Sequence, residues 1–329
     1  MPESSKALHI DTDEISRLDQ KHLLTKSYHF SIVTNVLIAI LGITIFIVPW
    51  GYLQSGILGG SIIIIFVAVA AFCTVVFIIT LQQHYFNRTG EIADYAEIVS
   101  LSIGPFASNI VAMCTIISCL GACVSYLIFI GRVFSQLFGV SYFISLAIST
   151  PFLIAVSWIQ SYQALSRYAA SGIILVSIAL VLILFDNQSE KSLFQLISTA
   201  PLFGNRHSIV TFTGPATFLF TVHYCVAALH GEILHELRDT SSEHQSLMHL
   251  ESSFASSSIS RITPRSTSAT SPIVVHQQQQ HSSDHLKIDT LQSIIKSLGV
   301  AFIISAMLVM FHGITAMVIY NESSLRLHR

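Results

Sequence analysis

The sequence predicts an all-α polytopic membrane protein with about seven transmembrane helices, and three observations predict it. Hydrophobic residues make up 52% of the 329 and charged residues only 10%, against about 25% charged in an ordinary soluble domain. Mean hydropathy is +0.67. The apolar residues fall in long runs almost free of charge, the pattern of helices that cross a bilayer. The expected surrounding is therefore lipid. A net charge of −2 excludes the basic footprint that nucleic-acid binding requires.

Residues 1–27 are polar and lack an apolar core, so they read as a cytoplasmic tail with no cleavable signal peptide. Asp19 to Leu24 form an acidic dileucine-like stretch, a weak pointer to endosomal or lysosomal delivery as an alternative to the plasma membrane. Apolar spans follow at about 30–55, 57–83, 106–131, 141–159, 168–186, 209–235 and 290–320. The first six belong to a membrane region over 28–238, and the seventh to 287–320. Thr150-Pro151 should kink the fourth span, with neighbouring hydroxyls covering the carbonyl that proline leaves unpaired. Lys and Arg favour a cytoplasmic N-terminus: eleven fall on the segments this places inside and five on those outside. That orientation puts the sequons at Asn187 and Asn321 outside and Asn87 inside, and leaves 321–329 as an extracytoplasmic tail.

Two segments between the spans differ from them. Ile92, Tyr95, Ala96, Val99 and Ile103 fall near helical spacing, with Glu91, Asp94 and Glu97 off that stripe. This predicts a short amphipathic helix on the cytoplasmic surface of the membrane, ended by Gly104-Pro105. Residues 239–286 are rich in Ser, Thr, His and Gln, with a run at Gln277–Gln280. Too little apolar surface exists there to offset the entropy of ordering, so a disordered cytoplasmic loop is expected. Its Thr263-Pro264 and Ser271-Pro272 pairs suit phosphorylation, although an inert linker explains them as well. The five cysteines lie in apolar segments with no zinc-like spacing, so neither a disulfide nor a metal site is expected.

The first span carries the strongest functional signal. Gly42, Thr44 and Pro49 interrupt an otherwise apolar run. Breaks within a spanning helix free backbone groups that lipid cannot satisfy. Secondary transporters use such breaks to build a substrate site at mid-bilayer. A plain helix with a harmless kink is the competing reading.

Several pieces in order resemble the amino acid/auxin permease family of amino acid transporters. Gly42 to Pro49, followed by Gln54-Ser55-Gly56, is similar to the family's first-helix pattern. Tyr95-Ala96-Glu97-Ile98 with Gly104-Pro105 resembles its first cytoplasmic loop, Gly121 to Ile130 its third helix, and Phe218 to His223 with Glu236 to Asp239 its sixth. The resemblance implies a LeuT-like inverted-repeat fold with helices 1 and 6 broken at the midplane. The chain stops after the seventh span, so the second repeat is incomplete and a fragment or truncated relative is expected. Thr44 and Ile47 stand where the pattern has glycines, and Ile38 where sodium-coupled relatives carry Asn. Sodium coupling is thereby put in doubt. Helix 6 shows no Gly or Pro near His223, so its expected unwinding has no local sequence signal.

Transport needs no nucleophile, and no catalytic triad or phosphate loop is present, so an enzyme is not expected. The site must hold a zwitterion. Backbone N–H groups at Gly42, Ile43, Thr44 and Ile45 would bind its carboxylate, aided by the half-helix dipole. Carbonyls near Phe220, Thr221 and Val222 would accept from its amine. Tyr126 would cap the site and Phe220 close it, although helix packing explains both equally simply. His223 is an ionisable group in mid-span and hence a candidate for proton coupling, or else a neutral imidazole bonded to a neighbour. His230 and His312 are the other intramembrane histidines. Glu232, Glu236 and Arg238 read as a solvated helix end or an inner-gate ion pair.

The expected function is secondary active transport of small or neutral amino acids by alternating access, coupled to protons or sodium and using no cofactor. A non-transporting truncated relative with a regulatory role is one alternative. A seven-helix receptor is the other, against which stand the charge bias and Gly131-Arg132-Val133 after span three where receptors carry Asp-Arg-Tyr.

Overall fold

The computed structural model describes residues 29–158, most of 168–179 with 182, and then 200–204, 206–236, 238–239 and 272–327. The dileucine-like stretch, the sequon at Asn187 and the proline-directed sites of 263–272 lie outside the described residues or at their edge.

The first span is helix α1 (His29–Leu41), a 3-10 turn (Ile43–Ile47) and helix α2 (Val48–Ser55). Ile32, Val36, Leu37, Ile40 and Leu41 form the buried stripe of α1. Gly42, with ψ −152°, ends it. Pro49 falls in the first turn of α2, where its missing N–H costs nothing within that helix. The axis bends by 42°.

Gly56, at φ +79°, turns the chain into α3 (Ile57–Thr89). The N–H groups of Ile57 and Leu58 donate to the carbonyls of Pro201 (3.1 Å) and Leu202 (2.9 Å), and Gly204 N–H donates to Ser55 (2.7 Å). The segment 200–204 thus caps a helix end that would otherwise expose orphan donors. A side chain at Gly204 would strike the Gln54 carbonyl. At 1.5 Å per residue, α3 is about 50 Å long and outreaches the hydrocarbon core. Gly90 (φ +72°) ends it.

Helix α4 (Tyr95–Ser102) is the predicted amphipathic helix, and Asp94 caps it by accepting from Glu97 N–H (2.7 Å). Helix α5 (Pro105–Phe138) follows, then α6 (Tyr142–Ser157) and α7 (Ala170–Ala179). In α6, Thr150 Oγ1 donates to Leu146 (2.7 Å) and Ser149 Oγ to Ser145 (2.9 Å). Those hydroxyls bond carbonyls one and two residues before Ala147, whose own partner Pro151 removes. The expected covering of that freed carbonyl is therefore not what these hydroxyls do.

Helix α8 (Arg206–Leu219) and helix α9 (223–236) make the sixth span, and α10 (Pro272–Leu327) carries the seventh. Helix α10 overruns its predicted limits at both ends. Residues 272–286 have helical backbone where a disordered loop is expected, and 321–327 where a tail is expected. Proline suits a helix start, and glutamine is a good helix former whose propensity the composition argument ignored.

Among the described residues, four helices are long and apolar enough to cross a membrane alone, and the bent α1–α2 pair makes a fifth span. Of the predicted fourth and fifth spans, the described residues show apolar helix over 142–155 and 170–179. The core joins α1–α3, α8–α10 and residue 200. By contrast, none of the most apolar stretch of α5 is buried inside the protein.

Candidate functional site

The two interruptions are of different make. At the first, Ile45 N–H donates to Gly42 (3.2 Å) and Val48 N–H to Ile45, three-residue bonds that tighten the backbone. At the second, Phe220 N–H donates to Thr217 (3.2 Å) and Thr221 N–H to Phe218 (3.2 Å). Val222 N–H then closes a two-residue loop on Phe220 (2.9 Å), and helix resumes as Val226 N–H reaches Val222 (2.9 Å). The sixth span is therefore unwound over Phe220–Val222 although no Gly or Pro stands there. Pro215 lies a turn earlier, inside regular helix.

Helix α5 brings these breaks together. The Tyr126 hydroxyl packs directly on Gly42: a Cβ at that glycine would overlap it. Phe129, one turn on, stacks on Phe46 at 4.7 Å. On the same helix Cys119 is hydrogen-bonded to the phenol of Tyr224, two residues past the second break. Gly51 lets α8 close on α2, since a Cβ there would collide with the Phe212 ring.

Of the residues expected to form the site, Gly42, Tyr126, Thr221 and His223 stand at these breaks. Ile43, Thr44 and Ile45 supply the 3-10 backbone, and the side chains of Ile43 and Thr44 lie outside the described residues. Phe220 is fully buried and stacks on Phe302 (6.1 Å), which meets Phe72 edge-on (5.6 Å). It holds the break in place from behind, in a packed position rather than over an opening. His223 opens α9, and its Nε2 is hydrogen-bonded to Thr74 Oγ1 on α3 (2.5 Å). This is the bonded-imidazole alternative. Sequence reasoning passed over Tyr224 and Cys119, because an aromatic and a thiol on apolar helices look like ordinary packing.

A cavity of about 740 Å3 opens between the ends of α3, α4, α5 and α9. Tyr224 lies on its wall, and Asp94, Tyr95, Glu232 and His235 also line it. Gln82 secures this wall: its Nε2 donates to Ala93 (2.8 Å) and Ala227 (3.2 Å), and its Oε1 accepts from His230 Nδ1 (2.7 Å). At the same end Arg238 donates to Gly90 (3.4 Å), and His235 pairs with Asp239 across 3.0 Å of exposed surface. Arg238 thus ties α9 to the end of α3 through a backbone carbonyl.

A broken first span beside a broken sixth is the architecture that the sequence resemblance implies. The sequence pattern of transmembrane amino acid transporter proteins matches residues 25–256, most of the chain. The chain belongs to that family. It is also 26% identical over 158 residues to the amino acid transporter ANT1 of Arabidopsis thaliana, a match covering 46% of this chain and 37% of that relative. The aligned part is thus well under half of the relative's length. No solved structure matches the chain. Membership makes this an integral, multi-pass membrane protein of an amino acid transport family, and the receptor reading falls away.

Proposed function

We propose that this family member is a secondary active transporter of small or neutral amino acids, working by alternating access with its N-terminus in the cytoplasm. One observation carries the reading: the first and sixth spans are both broken, and α5 meets the first at Gly42 through Tyr126 and the sixth beside its break through Cys119 and Tyr224. Unpaired peptide groups facing lipid cost several kcal/mol each, so breaks persist only where protein or a bound polar ligand meets them. The 3-10 turn and the start of α9 both present N–H groups that lack intrahelical partners by position, and both helix starts favour a carboxylate. The end of α8 offers carbonyls to an amine. Tyr126, on Gly42, is placed to cap a substrate. The cavity beside Tyr224 suits a release path towards the side where α4 lies. Among the described residues no Lys or Arg lines it, which favours zwitterions over anions. Coupling to protons or to sodium belongs to the same reading.

The test is uptake of labelled neutral amino acids by proteoliposomes holding the full chain, under imposed proton or sodium gradients. Gradient-dependent accumulation is expected. A flat response across the neutral panel under both gradients sinks the reading and leaves the non-transporting alternative.

A further inference from the structure

His312, on α10, is a buried imidazole that the proposed transport does not use. It is 6% exposed. One ring nitrogen is hydrogen-bonded to the Ile45 backbone inside the 3-10 turn. Nε2 is buried and has no partner, which leaves Nδ1 as the bonded atom. The Ile45 carbonyl is available for a specific reason. In a regular helix it would accept from residue 49, and residue 49 is proline. Val48 N–H uses the carbonyl through a shorter bond, and His312 supplies the second donor. With Nδ1–H donating to the carbonyl, Nε2 is a bare acceptor.

Among the described residues packed on it, the surroundings hold no counter-charge. Asp and Glu are absent from α1, the 3-10 turn, α2 and α3, the elements packed on this part of α10. Tyr52 is the titratable side chain of α2, next to Gly313 and bonded to Ser61 (3.2 Å). On α3 the groups are Cys73 and, at the far end, His84, Tyr85 and Arg88. His29 bonds Ser293 and Ser297 at the other end of α10 near Lys296.

We infer that His312 is a proton-binding site coupled to the break in the first span. A proton adds to Nε2, forming one N–H bond and breaking none. The imidazolium so made meets no carboxylate among the described residues packed on it, and a lone buried charge is costly. Hydration of the 3-10 turn relieves that cost, so the proton favours an opened turn and its loss the closed packing seen here. His223 stands at the other break, its Nε2 bonded to Thr74 on α3, so substitution separates the two imidazoles. The inference stands on the geometry of the break and holds whether or not the chain moves amino acids.

The test uses the full chain in lipid nanodiscs, with Trp158→Phe leaving Trp50 on α2 as the remaining indole of the two. Trp50 emission is followed from about pH 8 to pH 5, where imidazoles titrate. A one-proton transition is expected, lost in His312→Gln and kept in His223→Gln. Glutamine preserves a donor for Ile45 but cannot take the proton. Exchange of each imidazole C2 hydrogen, read by mass spectrometry at successive pH, reports on His312 without any substitution. Its midpoint should coincide with that of Trp50. A flat emission trace, a transition that survives His312→Gln, or a His312 midpoint apart from that of Trp50 overturns the inference. Failed amino acid uptake alongside a normal His312 titration would instead count against transport alone.

Discussion

The first and sixth spans are both interrupted, yet only the first advertises it. Gly42 and Pro49 bracket the first break, and each removes something a helix needs. Glycine adds conformational freedom, and proline removes a donor. The sixth span breaks at Phe220-Thr221-Val222, three residues with ordinary backbone chemistry. What surrounds them differs instead. Phe220 is drawn into the Phe72–Phe302 aromatic cluster, and His223 is held by Thr74. One break is local and the other imposed by neighbours, so the two should fail in different ways.

The sharpest way to break the comparison is Gly42→Leu. A bulky side chain at a position that already touches the Tyr126 hydroxyl should reduce uptake to background. Overpacking costs about 1–3 kcal/mol, so expression should fall little. Adding Tyr126→Ala should restore part of the uptake, and no rescue would mean that the phenol is not the obstacle.

A second expectation concerns the isolated spans. Peptides 29–55 and 206–236 in micelles should diverge, the first keeping its interruption and the second becoming continuous helix through Phe220–Val222. Sequential amide contacts by NMR decide it, and an unwound second peptide would make that break local after all.

In the full chain, Phe302→Ala removes the ring behind Phe220. The surrounding solvent is lipid, so the gain from leaving water is absent and the lost packing remains. The expected cost is at most about 3 kcal/mol in thermal or denaturant unfolding. Hydrogen exchange at Phe220–Val222 should slow as helix reforms there.

The smallest effect should come from Thr74→Val, which frees His223. Hydrogen bonds between membrane helices average about 0.6 kcal/mol, so stability should fall by about that much while the first break is untouched. Altered fluorescence of Trp50 in Thr74→Val would show the two breaks to be more tightly linked than the packing implies.

Much of the fold was legible before the structure. Uncharged runs announced the spans, and the apolar spacing from Ile92 to Ile103 with the Gly104-Pro105 stop announced the amphipathic helix α4. Tyr126 and Gly42 were both legible as site residues. Their contact was not, since residues so far apart in the chain meet only when α5 packs on the break. Helix in 272–286 escaped because polarity was taken for disorder, whereas glutamine is polar and still forms helix.

Sequence alone determined that this chain lives in a bilayer, because almost every long segment prefers lipid to water, and that its first span breaks, because Gly42 and Pro49 withdraw support from the local hydrogen-bond ladder. Tertiary structure alone decided the second break, the packing of α5 beside both, and the match between His312 and the carbonyl that Pro49 sets free. Each of those depends on groups distant in the chain satisfying one another, and in a medium without water a peptide group left by its own helix must find such a partner or stay costly.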